Sequence, residues 1–168
     1  MKTLDLVSIN GNAPYQVGMG YSQSSYIFTT DFGVDYSIDF IADDLIENDD
    51  SYQLIIANLN QRKSPRDIKV RDTVLAVIEQ FFTQNQATLL YICQTGDSKQ
   101  KMRNRLFEYW FSSYSYRYLY TLLSSSVVDE EGVVNYATLI IRNDNPRLHQ
   151  VINEFTESFS MLSQKPDI

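Results

Sequence analysis

A chain of 168 residues with 43% hydrophobic and 21% charged residues has the make-up of a folded domain, which excludes a disordered or fibrous polymer. One cysteine excludes an internal disulfide, and a net charge of −7 argues against general nucleic-acid binding. No apolar run approaches the roughly 20 residues that a membrane-crossing helix needs. Met1-Lys2-Thr3-Leu4-Asp5 leads into no apolar segment, so a cytoplasmic location without membrane contact is expected.

Residues 10–24 are rich in Gly, Asn and Ser, and 1–24 is expected to be an irregular arm. Residues 25–30 read as a strand, and Asp31-Phe32-Gly33 as a turn. Val34, Tyr36, Ile38 and Phe40 then alternate with Asp35, Ser37 and Asp39, which predicts a second strand with a dry face and a wet one. Residues 52–59 give a third strand. A helix opens at Ser64-Pro65, with Asp67 as an alternative cap, and Val70, Val74, Val77, Ile78 and Phe81 carry its apolar spacing to about 84.

A buried strand at 88–93 and a glycine turn lead to a second helix over 99–113. Strands at 118–128 and 133–142 are joined by Asp129-Glu130-Glu131-Gly132 in a hairpin. Asn145-Pro146 starts a last helix, with Leu148, Val151, Ile152, Phe155, Phe159 and Leu162 on one stripe.

The expected order is β-β-β-α-β-α-β-β-α. It describes an α+β fold, with one mixed, mostly antiparallel sheet of about six strands and three helices. The helices are expected on one face, with the Asp35, Ser37 and Asp39 face at least partly open. A single domain over 25–163 and a short tail at 164–168 complete the picture.

Charge is unevenly spread. Residues 61–105 hold nine basic and four acidic side chains, a net of +5, which leaves −12 for the rest. Arg62, Lys63 and Arg66 form a basic loop. The most informative stretch is Cys93-Gln94-Thr95-Gly96-Asp97-Ser98-Lys99-Gln100-Lys101-Met102-Arg103. A helix start offers free N–H groups and a partial positive charge, which favour an anion. Asp97 or Ser98 is the expected N-cap. At about 100° per residue, Met102, Leu106, Tyr109 and Trp110 share an apolar face, with Lys99 and Arg103 on or beside it. A half-buried guanidinium must find an acceptor. A structural carboxylate serves, and so does a phosphate or acidic peptide held by Gly96, Asp97, Ser98, Lys99 and Arg103. The stretch lacks the spacing of a phosphate-binding P-loop or of a dinucleotide fingerprint.

Other candidates are weaker. Cys93 sits in an apolar run and reads as a small buried hydrophobe. The lone His149 has no triad or metal spacing around it, and Asp43, Asp44, Glu47, Asp49 and Asp50 lack calcium-loop spacing, so no metal or cofactor is expected. Trp110, Tyr114, Tyr116, Tyr118 and Tyr120 form an aromatic run that packs on a helix, makes a dimer interface or, with Arg117 beside it, stacks on single-stranded nucleic acid.

Two stretches carry a resemblance. One is Tyr26-Ile27-Phe28-Thr29-Thr30-Asp31-Phe32-Gly33-Val34-Asp35-Tyr36-Ser37-Ile38. The other is Leu90-Tyr91-Ile92-Cys93, with Asp97, Lys99-Gln100, Arg103-Asn104-Arg105-Leu106-Phe107 and Trp110-Phe111. Together they resemble a family of small uncharacterised proteins found mainly in Bacteroidota, over about residues 25–145. The resemblance implies a short, stand-alone, cytoplasmic bacterial protein and transfers no catalytic residues.

The leading functional expectation is a small non-enzymatic binding or regulatory protein. It would recognise an anionic partner through the Lys99 and Arg103 helix start and the basic loop, or act through protein–protein contacts. The second is an enzyme acting on a phosphate-bearing substrate such as a nucleotide or RNA, with Lys99 and Arg103 stabilising charge. The third is a homodimer built on the aromatic run. A protein partner or self-association is favoured over nucleic acid.

Overall fold

The computed structural model of the chain describes residues 1–44, 46, 50–93 and 99–163, with backbone alone at 127 and 160–163. The elements in chain order are α1 (Leu6–Asn12), β1 (Gly18–Met19), β2 (Ser25–Thr29), β3 (Asp35–Ala42), β4 (Ser51–Asn58), α2 (Ile68–Gln84), β5 (Thr88–Ile92), α3 (Gln100–Ser112), β6 (Tyr120–Val128), β7 (Val134–Arg142) and α4 (Leu148–Ser163). One sheet takes the strands in the order β1-β2-β3-β4-β5-β7-β6, and the ladders β1–β2, β2–β3, β5–β7 and β6–β7 are antiparallel.

Among the described residues there are thus seven strands and four α-helices, where six and three were expected. The additions, α1 and β1, both lie in the segment expected to be irregular. Neither is long enough to show a period: α1 has seven residues and β1 has two. Local chemistry holds them. The Asp5 carboxylate accepts the Val7 N–H at 3.1 Å and caps α1. Asn10 receives the Val17 N–H at 2.7 Å and returns its amide to the Val17 carbonyl at 3.0 Å.

By its contacts the chain divides into two compact units, Met1–Ile41 with Leu54–Gln86 and Ala42–Gln53 with Ala87–Ile168. The expected tail at 164–168 lies outside the described residues.

In the first unit, α2 buries Val70, Val74, Val77, Ile78 and Phe81, as its spacing predicts. It starts later than Ser64-Pro65. Asp67 is the cap, accepting the Lys69 N–H at 3.0 Å. Phe81 stacks on Phe40 of β3 at 4.8 Å. The wet face expected on β3 is a correction: Ser37 and Asp39 are buried, and the Ser37 hydroxyl donates to the Asp39 carboxylate at 2.8 Å. Alternation in sequence marks which side chains share a face, and a local hydrogen bond lets polar ones be enclosed. Gly33 adopts φ 71° in the turn between β2 and β3, a backbone region that suits glycine.

In the second unit, β7 lies between β5 and β6. Leu90, Ala137, Leu139 and Ile141 pack with Val151, Phe155 and Phe159 of α4 and with Ile46. Each of the Leu, Ile, Val and Phe side chains here contributes about 1.5–3 kcal/mol of burial. On the opposite side, Tyr91 stacks on Phe107 of α3 at 4.2 Å, and Tyr120 meets Phe111 edge-on at 5.5 Å. Helices therefore cover both sides of these three strands, where one side was expected.

Candidate binding groove beside the third helix

Four residues of α3 are buried: Gln100, Asn104, Phe107 and Phe111. Met102, Leu106 and Tyr109, expected to face inward, are 69%, 46% and 67% exposed, and Trp110 is half-buried. This overturns the expected orientation of the helix. Hydropathy ranks Gln100 and Asn104 as outward, but both find partners inside. The Gln100 side-chain amide donates to the Val134 carbonyl at 3.1 Å, and the Asn104 carbonyl accepts the Thr138 hydroxyl at 2.9 Å.

The bases of α3 alternate at 99, 101, 103 and 105, so they divide into two pairs on opposite flanks. Arg103 is half-buried on the β5 flank, where its positive charge acts on Tyr91 and Cys93. Burial raises both of these acids, the Cys93 thiol to about 11, against the opposing pull of Arg103. Lys99 is the N-cap residue and makes no side-chain cap bond. Gly96, Asp97 and Ser98 lie outside the described residues, as does the expected capping role of Asp97 or Ser98.

Lys101 and Arg105 occupy the other flank. With Asn104 and Glu108 they form one wall of a groove of about 260 Å³, and Ser124, Ser125 and Ser126 of β6 with Tyr136 of β7 form the other. Its floor is a set of side-chain hydrogen bonds. The Ser124 hydroxyl donates to the Glu108 carboxylate and lies 2.8 Å from the Thr138 hydroxyl, whose own proton goes to Asn104. Thr138 donates to Asn104, whose amide reaches Glu108 at 3.4 Å. Each polar group in this ring has a partner, so the floor is fixed and the two cations above it face solvent. The serine run carries no local signal in the sequence. The strand register, Ser124 opposite Thr138, is what brings it to Asn104 and Glu108.

The aromatic run does not form the expected strand face. Tyr120 opens β6 and is buried, while residues 117–119 make a single 3-10 turn. The rings interlock outward from Phe111 through Tyr114 and Tyr116 to Tyr118 at centroid distances of 5.6, 5.7 and 6.5 Å. Only Tyr116 and Tyr118 of the four tyrosines are strongly exposed, at 48% and 67%. The basic loop residues Arg62, Lys63 and Arg66 are exposed in the first unit, and the Arg62 guanidinium lies against Gly33. His149 is exposed. Among the described residues, no helix is long and apolar enough to cross a membrane, and no three His, Cys, Asp or Glu side chains gather as metal ligands would.

A family model described as a family of unknown function (DUF6169) matches residues 66–157. The chain belongs to this family. The match takes in α2, β5, α3, β6, β7 and the start of α4, and with them every residue of the groove. Of the two stretches that carry the resemblance in sequence, the family model covers the one from Leu90 to Phe111 and leaves out the one from Tyr26 to Ile38. No curated protein and no solved structure matches the chain.

Proposed function

We propose that this DUF6169 member is a non-enzymatic binding protein that takes an acidic segment of a protein partner into the groove between α3 and β6. One observation carries the reading: Lys101 and Arg105, one helical turn apart, stand over a concavity whose polar floor is already satisfied. Cations in that position have no structural duty in the floor and are available to a carboxylate. The chain as a whole is acidic, at −7, so attraction for an acidic segment is local, and this rim supplies it at the groove. The site differs from the one expected at Lys99 and Arg103 by half a turn of the same helix.

The test is titration with a blocked octaglutamate peptide, with octalysine as control, at low and high salt. Wild type binds octaglutamate and releases it as salt rises, and Lys101→Glu/Arg105→Glu abolishes the binding. Equal affinity of wild type and variant would sink the reading. The second reading, an enzyme acting on a phosphate-bearing substrate, draws on Glu108, a carboxylate in the same groove. Phosphate release from a nucleotide that disappears in Glu108→Gln would favour it instead.

A further inference from the structure

β6 is the last strand of the sheet and runs nine residues, with β7 as its neighbour on one side. Among the described residues, no backbone hydrogen bond from residues 121–128 goes anywhere but to β7. Every second residue of the strand therefore turns its N–H and C=O outward. Proteins commonly guard such an edge with charge, proline or a bulge. Thr121-Leu122-Leu123-Ser124-Ser125-Ser126-Val127-Val128 contains no charge, no proline and no glycine. The opposite edge of the sheet, β1, is only two residues long.

The charge beside this edge comes from α3. Lys101 and Arg105 line the groove together with Ser124, Ser125 and Ser126, so they overhang the strand. Their presence selects among occupants. A second copy paired edge to edge about a two-fold axis would bring its own Lys101 and Arg105 to the same side of the sheet, like charge toward like. An acidic strand meets attraction there. The spacing also fits. Four residues of helix advance about 6 Å, and two residues of strand advance about 6.6 Å. Carboxylates at alternate positions of an extended segment thus keep step with Lys101 and Arg105.

We infer that the partner segment binds as an eighth strand on β6, with Asp or Glu at every second position facing α3 and no proline within it. The inference rests on the groove reading above and adds backbone pairing to it. Affinity then has two separable sources, main-chain hydrogen bonds to β6 and carboxylates on the two cations.

The test uses three blocked nonapeptides of alternating glutamate and threonine: unmodified, N-methylated on the glutamates, and N-methylated on the threonines. In an added strand, one residue set turns its N–H to β6 and the other turns it to solvent. The unmodified peptide binds, one methylated form loses at least tenfold in affinity, and the other keeps it. Two methylated forms that bind as well as the parent overturn strand addition and leave the groove reading standing. Equal affinity of the unmodified peptide for wild type and for Lys101→Glu/Arg105→Glu, with the strand-selective loss kept, overturns the groove reading instead, and with it the acidic specificity. A doubled mass of the free protein in light scattering, abolished by Ser125→Pro, places a second copy on the edge and overturns the inference.

Discussion

The Tyr15 hydroxyl donates to the Asp67 carboxylate and accepts the Asp31 N–H at 3.2 Å. One phenol thus joins the segment before β1, the cap of α2 and the turn after β2. Asp67 is engaged twice, because it also receives the Lys69 N–H at 3.0 Å.

Tyr15→Phe keeps the ring stacked on Phe28 and removes only the hydroxyl. It should lower stability by about 1–2 kcal/mol in urea unfolding, because Asp31 and Asp67 each lose a partner. Asp67→Ala should cost about 1 kcal/mol for the cap and more for the phenol it abandons. The two losses should combine to less than their sum. Strict additivity would show that the pair does not communicate.

The orientation of α3 is open to a direct contrast. Met102→Gln and Tyr109→Gln change exposed side chains and should each stay within about 0.5 kcal/mol of wild type. Phe107→Ala empties a site between Tyr91 and Phe111 and should cost about 3–5 kcal/mol. A loss above about 1 kcal/mol at Met102 would return the helix to the orientation that hydropathy suggests.

That contrast also marks the limit of what local sequence encodes. The apolar positions of α2 and α4 fall on one face each, and the structure buries Val74, Phe81, Val151 and Phe155 as their periods require. α3 has apolar residues on two sides, Met102, Leu106 and Tyr109 against Phe107 and Phe111. Which side turns inward depends on Thr138 and Val134, more than 30 residues away, as the partners of Asn104 and Gln100. No local pattern carries that information. The cluster of bases was legible, but which of its two pairs, Lys99 with Arg103 or Lys101 with Arg105, lies beside β6 depends on the orientation of the helix. The groove needs β6 beside α3, a tertiary fact.

Asn104 links the floor of the groove to the fold. Asn104→Ala removes the acceptor of Thr138 and a donor to Glu108 in a buried place, and should lower stability by about 1–3 kcal/mol. Asn104→Asp should not rescue it, since the amide's donation to Glu108 would become carboxylate against carboxylate. A variant as stable as wild type by thermal unfolding would show that the floor is not held by this ring.

The β6–β7 hairpin should confer acid sensitivity. The Val133 N–H, followed by the Asn135 amide and the Glu131 N–H, holds the Asp129 carboxyl below the ordinary aspartate range despite some desolvation. A carboxyl depressed in the folded state stabilises the fold at pH values above its unfolded value of about 4, and that contribution is lost as pH falls through the folded value. Wild type should therefore lose its stability advantage over Asp129→Asn on titration below about pH 4. A constant difference across that window would refute the assignment.

Cys93 is buried, and its thiol is raised to about 11. At pH 8 roughly one molecule in a thousand carries the reactive thiolate. Iodoacetamide should leave the native protein unmodified over hours and label it completely in urea. Rapid native labelling would mean that the β5 end opens readily.

The strand order has a consequence for synthesis on the ribosome. All residues of the first unit precede Ala87, so its parts are all available when half the chain is made. β5 follows at once, but Leu89 pairs with Ile140 and Leu90 with Leu139, and α3 between them packs on the same late strand. Until β7 leaves the exit tunnel, Leu89 and Leu90 lack their partners on that strand, and Gln100 and Asn104 lack Val134 and Thr138. The second half of the molecule is thus obliged to wait with its stickiest residues uncovered, and β7 closes three gaps at once when it arrives: the ladder to β5, the ladder to β6 and the seat of α3.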